Sequence, residues 1–248
     1  DIGSQLLFIV PWIFAFMTFA SSLNMNLSGV KSFTKFPGAI LIVLAVLHIA
    51  MPIVAYIVSI VLFDDPLLTA GFVLAVAIPT GVTSFIWVNI CNGHRALCLS
   101  IILIDTLLSP IMIPALLKVF VGKTVELDTV SLMLDLVWMI VLPSIAGVLI
   151  NELTKGGVEK TWSKTLAPFS KLAVLAVVMI NGSAIAPYVK NLSWEIAGII
   201  VIVFGLAMFG YVLCFVLGRF FWKDTSVVTT FVLTGGMRNI AVGVVVAT

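Results

Sequence analysis

The stretch LLTAGFVLAVAIPTGVTSFIWVNI, residues 67–90, is long and apolar enough to cross a bilayer, yet it carries Pro79 and Gly81 near its middle. Proline inside a helix removes a backbone hydrogen bond, and glycine relaxes the backbone further. Backbone groups freed at membrane depth survive only inside protein or beside a water-filled cavity. A second stretch, TSVVTTFVLTGGMRNIAVGVVVAT at 225–248, repeats the plan. Phe-Val-Leu recurs at 72–74 and 231–233, and a break follows each time, AIPTG in one and TGGMRN in the other. Each broken span follows a long unbroken one, at 38–62 and 194–218. Five crossings separate those two long spans, so the second copy is expected to cross in the opposite sense. Interrupted spans at matching places of an inverted repeat point to a transporter's binding site. Two independent kinks in a helical bundle are the plainer alternative.

The rest of the chain agrees with a lipid solvent. Of 248 residues, 62% are hydrophobic and 10% charged, with a mean hydropathy of +1.27; soluble domains carry about 25% charge. Eight apolar segments are read, at 5–23, 38–62, 66–91, 96–117, 129–151, 167–188, 194–218 and 226–248, each near the roughly 17–25 residues that a crossing needs. The basic residues divide unevenly among the connectors. Lys31, Lys35, Arg95, Lys155, Lys160, Lys164, Arg219 and Lys223 fall on one side, and only Lys118, Lys123 and Lys190 on the other. The first set is therefore expected in the cytoplasm, which makes the chain a multi-pass protein of the plasma (cytoplasmic) membrane. Val158, Trp162 and Leu166 recur at steps of four in TKGGVEKTWSKT, which suits either a short interfacial helix or a solvated loop. Lys171, near a segment end, suits snorkelling to the interface.

Several function classes are excluded. Cys91, Cys98 and Cys214 show neither paired nor metal-ligand spacing. Hydrolase and metalloprotease signatures are absent, so neither an enzyme nor a metal or cofactor is expected. The cytoplasmic basic residues are scattered over four loops, so no nucleic acid partner is expected either.

The residues also resemble a known family. KFPGAILIVLAVLHIAMPIVAY at 35–56, AIPTGVTS at 77–84, RALCLSIILIDTLLSPIMIPALL at 95–117 and FVLTGGMRNIAVG at 231–243 are similar, in order, to motifs of the bile acid:sodium symporters; IFAFMTFASSLNMNLSGVKSF at 13–33 echoes the family's second helix and its loop. The resemblance covers most of the chain. It implies an all-α membrane transporter fold of ten helices in two inverted repeats, with two crossing discontinuous helices. The eight segments would be the family's second to ninth. Residues 1–37 and 123–190 would form a panel; 38–122 and 191–248 would form the two halves of a core.

The resemblance also implies two sodium ions held by oxygen ligands near the crossing, and here this chain departs. Thr234 stands where the family has glutamate, and Arg238 where it has glutamine. Phe85 replaces an asparagine beside the retained Ser84, Cys98 and Ile102 replace serine and threonine, and His48 replaces a glutamine. Sodium as a coupling ion is thereby disfavoured.

Asp105 stands alone in IILIDTLLSP, where an unpaired charge costs about 2.5–3.5 kcal/mol on insertion scales. Arg238 reads as a permanent cation standing where a sodium ion would bind, since its guanidinium does not deprotonate and holds carboxylates bidentately. Asp105 is its expected partner. Asp105 or His48 is then a candidate for titration and proton coupling; a fixed brace between helices is the competing reading, and for His48 alone a satisfied buried histidine is the plainer one. Thr80, Gly81, Thr83, Ser84, Gly236, Arg238 and Asn239 are the candidate substrate-binding residues, and His48, Asp105, Thr234 and Arg238 the candidate coupling or ion-pair set. Half-helix N-termini are expected to face this spot and favour an anion. Phe85, Trp87 and Met237 would favour an apolar one, and Asn181 and Ser183 offer polar contacts from the panel side. The expected function is secondary transport of a small organic anion by alternating access, proton-coupled or facilitated. The alternative is a non-transporting sensor or scaffold that binds a solute in a locked core.

Overall fold

The structure is a computed structural model that describes residues 7–25, 35–81, 83–122, 128–189 and 193–239. In chain order the helices are α1 (Val10–Ser22), α2 (Pro37–Leu62), α3 (Pro66–Ala77), α4 (Ser84–Ile90), α5 (Arg95–Phe120), α6 (Val130–Leu153), α7 (Gly157–Lys160), α8 (Trp162–Val189), α9 (Trp194–Phe221) and α10 (Thr225–Gly236). Four of them, α2, α5, α6 and α9, are long and apolar enough to cross a membrane. At 1.5 Å per residue, 26 residues of helix reach ~39 Å, against roughly 30 Å of hydrocarbon. α1, α3 and α10 are shorter apolar helices, and α8 contains one such stretch, Pro168–Ser183. The single turn of α7 occupies the start of the amphipathic connector and runs almost directly into α8.

Local chemistry explains the boundaries. Asp65, Asp224 and Ser193 each accept a backbone N–H at the start of α3, α10 and α9, satisfying donors that a helix start leaves free. α3 stops at Ile78, whose backbone is extended (φ −60, ψ 144), because a residue before proline is driven out of the helical region. α2 and α6 share another device. Each contains a π-helical turn, Val46–Ala50 and Val137–Val141, and in each a proline, Pro52 or Pro143, stands two residues beyond it. Proline has no N–H to give and crowds the carbonyl four residues back. The wider turn absorbs that mismatch without breaking the span.

Thus the expected segment 66–91 is two helices around a break, and 226–248 is a half-helix followed by an extended stretch through Asn239. Residues 240–248 lie outside the described residues, as do Lys31, Lys123 and Lys190 of the charge count.

α9 packs along α10, the second half of α2 packs along α3, and α1 is held between α6 and α8. Val43, Leu47, Met51, Phe72, Ile101 and Phe231 form one buried cluster that ties α2, α3, α5 and α10 together. The outer faces carry exposed apolar side chains such as Ile57, Ile111, Ile200, Phe204 and Phe215. An apolar exterior of this extent belongs in lipid. The chain is a multi-pass, all-helical membrane protein in which two discontinuous helices cross.

Candidate functional site

The two breaks meet and pair as a short antiparallel ladder. Thr80 and Arg238 form an antiparallel bridge; the Gly81 N–H donates to the Met237 carbonyl at 3.2 Å and the Asn239 N–H to the Pro79 carbonyl at 2.8 Å. These bonds satisfy backbone groups that the broken helices leave without intrahelical partners, as membrane depth demands. A Cβ at Gly81 would lie 3.1 Å from the Arg238 carbonyl oxygen, so the absence of a side chain permits the approach. Thr80 is the hub. Its N–H donates to Asp105 Oδ2 at 2.6 Å and its hydroxyl to the Thr234 carbonyl at 2.9 Å.

Arg238 lies across the ends of both half-helices. Its Nε donates to the Val76 carbonyl at 3.0 Å and its Nη1 to the Gly235 carbonyl at 2.8 Å. Val76 is in the last turn of α3 and Gly235 in the last turn of α10, where carbonyls have no partner further along the helix. Both helices therefore present C-termini to the crossing. A helix C-terminus is its negative end and favours a cation; an N-terminus of the expected kind stands there too, since α4 starts at Ser84, three residues beyond Gly81. Of the five N–H bonds of a guanidinium, two are spent on carbonyls. The remaining three, one on Nη1 and two on Nη2, are of the kind that holds a carboxylate, and the side chain is only partly buried.

The expected Asp105–Arg238 ion pair is a correction: the two side chains are not in direct contact. Asp105 is fully buried and its Oδ1 shares a hydrogen bond with His48 Nε2 at 2.6 Å, while Oδ2 accepts the Thr80 N–H. Arg238 is close enough for charge interaction with Asp105, but among the described residues it makes no contact ion pair. Thr80 links them instead, its backbone N–H given to the Asp105 carboxylate and its backbone bridged to that of Arg238. His48 sits in the π-helical turn of α2, 3% exposed, and its Nδ1 has no hydrogen-bond partner among the described residues.

The remaining candidates separate. Thr234 is buried, but its hydroxyl donates to the Thr230 carbonyl of its own helix at 2.7 Å. Ser84 faces Cys98, with Oγ and Sγ 3.9 Å apart, while Thr83 is exposed. Trp87 is half exposed. Ser183 bonds the Ile180 carbonyl, and Asn181 is buried on α8.

Tyr211 was missed by sequence reasoning. A Cβ on Gly236 would run into Cδ1 and Cε1 of its ring, and one on Gly235 into Cys214 Sγ. The paired glycines thus admit the α9 side chains against the end of α10, with Tyr211 within electrostatic reach of Arg238. The signal was there: two glycines before a lone arginine mark a close approach, without saying by what.

A groove of about 760 Å³ between α1 and α8 is lined by Trp12, Ile13, Phe16, Leu166, Phe169 and Leu172 among others. It opens at the apolar surface, its lining carries no charged side chain, and it includes no residue of the crossing. The ionisable side chains His48, Asp105 and Arg238 gather at the crossing instead.

Comparison with known proteins adds a second line. The family model described as Sodium Bile acid symporter family matches residues 11–193. Uncharacterized protein YbaS of Bacillus subtilis is 43% identical over 239 residues, covering 96% of this chain and 78% of that protein. The uncharacterized sodium-dependent transporter YocS of the same organism is 22% identical over 250 residues, covering 97% and 76%. A probable sodium/metabolite cotransporter, BASS1 of Arabidopsis thaliana chloroplasts, is 28% identical over 200 residues, covering 80% of this chain and 48% of that one.

Proposed function

The chain belongs to the sodium bile acid symporter family, and on that premise we propose that it moves a small organic anion across the plasma membrane by alternating access, with Arg238 resident where relatives would take a coupling sodium ion. The family is one of secondary transporters rather than enzymes. The observation that carries the proposal is the guanidinium bonded to Val76 and Gly235 at the C-terminal ends of both half-helices. Sodium favours carbonyl oxygens at such broken-helix ends; here they are already taken by a cation that cannot leave. Thr234, Phe85, Cys98 and Ile102 remove oxygen donors that the family pattern would supply. The free edge of Arg238, with Thr80, Gly81, Gly236 and Asn239 around it, then receives the carboxylate of the solute.

Residues 1–37 and 123–190 serve as the panel in this reading, 38–122 and 191–248 as the core, and the basic loops face the cytoplasm. A non-transporting sensor is the second reading, favoured by one observation: the ladder and the bonds of Thr80 lace the crossing shut.

The test is thermal unfolding of the purified protein with a panel of small carboxylates and bile acids, with and without sodium, at about pH 5.5 and about pH 7.5, either side of the imidazole range. Binding stabilises the folded state in proportion to occupancy. A carboxylate that stabilises without sodium, and no longer does so in Arg238→Gln, supports the reading. Stabilisation of the wild-type chain by sodium itself overturns it. Uptake into proteoliposomes of a carboxylate that binds separates transporter from sensor.

A further inference from the structure

We propose that the buried His48–Asp105 pair is the binding site of a coupling proton, and that its loading sets how tightly the first break is held. The inference rests on the anion reading only for what the proton is coupled to; the proton site stands on its own geometry.

The charges at the crossing are few. Arg238 contributes one positive charge that does not titrate, and Asp105, when ionised, contributes one negative. A solute carboxylate beside Arg238 adds a second negative charge to a region where an unbalanced charge is costly. One proton cancels it. The place for that proton is visible in the bonding. In a neutral His48 that donates from Nε2 to Asp105 Oδ1 the lone pair is on Nδ1, a buried atom with no hydrogen-bond partner among the described residues. The pair therefore has one open position. Filling it gives imidazolium against carboxylate, and the sum over Arg238, the pair and a bound anion returns to zero. The proton and the anion are then favoured together.

The pair is also wired to the moving part. Asp105 Oδ2 holds the Thr80 N–H at 2.6 Å, and Thr80 is bridged to Arg238 and bonded to the end of α10. An imidazolium against Asp105 draws on the same carboxylate that accepts the Thr80 N–H, and a hydrogen bond to a compensated charge is weaker than one to a bare charge. Proton loading thus loosens the grip of α5 on the break between α3 and α4. The π-helical turn that carries His48 is a second soft point in the same contact, of the kind that recurs at functional sites.

Other titratable groups on the surrounding elements are accounted for. On α5 itself Arg95 and Lys118 stand in the first and last turns, and Cys98 turns to Ser84. On α9 Tyr211 and Cys214 lie near Arg238. On α2 the Tyr56 ring packs on Phe120. On α6 Asp135 and Glu152 are exposed. α3 carries no ionisable side chain.

The experiment uses the full chain in lipid nanodiscs, with the proton as the only ligand. The chain has two histidines, so histidine-selective ¹⁵N NMR gives two ring systems, and His48→Gln assigns them. The expected result is that His48 takes up one proton at Nδ1 between about pH 8 and about pH 5.5, and that the titration moves in Asp105→Asn. Over the same interval hydrogen exchange across residues 72–86, corrected for the intrinsic pH dependence of the rate, rises about tenfold. A His48 ring that keeps one protonation state throughout overturns the proposal. So does a ring that titrates while exchange at the break stays constant, the behaviour of a buried histidine with a purely structural role. If Asp105→Asn does not fold, the wild-type titration and exchange still decide. No anion is added, so a negative result leaves the anion reading intact, and failure of the carboxylate panel leaves this one intact.

Discussion

Replacing Arg238 by glycine should convert the crossing into a site that takes a free cation. The side chain makes two charge-assisted bonds, to the carbonyls of Val76 and Gly235, and a bond to a charged group contributes about 1.5–3 kcal/mol. Full loss of both would cost roughly 3–6 kcal/mol. Arg238 is partly buried, so water entering the vacated space restores part of it, and a net loss of about 3 kcal/mol is the working figure. For a chain of this size that corresponds to a fall in Tm of about 6–12 °C. The carbonyls of two helix C-termini would then be left as oxygen donors in a region that favours positive charge. Sodium at a hundred times its dissociation constant would return about 2.7 kcal/mol, nearly the whole loss. The assay is thermal unfolding of wild type and Arg238→Gly in sodium chloride and in choline chloride at equal ionic strength. The expected pattern is a variant stabilised by sodium but not by choline, beside a wild type indifferent to both. A variant that loses no stability, or gains equally from both salts, would refute the idea that Arg238 fills a cation site.

Three further outcomes follow from other contacts. Gly236→Ala places a methyl against the Tyr211 ring; the overpacking should cost about 1–3 kcal/mol, read as a lower Tm, and Tyr211→Ala in the same chain should recover part of it. Thr230→Val removes the hydroxyl that accepts the His94 N–H at 2.7 Å and donates to Ser226 at 2.9 Å; a loss of about 1–2 kcal/mol and faster hydrogen exchange at residues 91–95 are expected. Asp224 caps α10, and hydrogen bonds from the Ser226 side chain and backbone hold its carboxyl below the usual carboxylate range. A carboxyl with a lowered folded-state value stabilises above that range and loses the contribution as pH falls through the lowered value. Unfolding followed against pH should therefore show a shallower acid limb in Asp224→Asn, which keeps the cap and removes the charge.

How much of this was legible in the chain differs from residue to residue. Pro79 and Gly81 announce a break at their own position, because proline and glycine act on the backbone they belong to. The two π-helical turns were not foreseen, although each stands just before a proline; the sequence shows the obstacle but not whether a helix will stop or widen. Arg238 and Asp105 were conspicuous as charges in apolar runs. Pairing them was the natural guess, since two opposite charges in lipid must each find compensation. That guess failed because other groups were nearer: Asp105 took His48 and a backbone N–H, and Arg238 took carbonyls, which are not visible as partners in a sequence.

Sequence by itself determined the solvent, the two breaks and the anomalous arginine, for these depend on composition and on residues acting within a turn of themselves. Tertiary structure alone decided what each charge touches. His48 and Asp105 are 57 residues apart, Thr80 and Thr234 are 154 apart, and Arg238 reaches back 162 residues to Val76. It also decided that α3 and α10 turn their C-termini to the crossing, so that carbonyl oxygens stand where Arg238 lies. Local rules say where a helix ends, but only the crossing of one helix over another says which carbonyls, and which sign of charge, stand there to meet it.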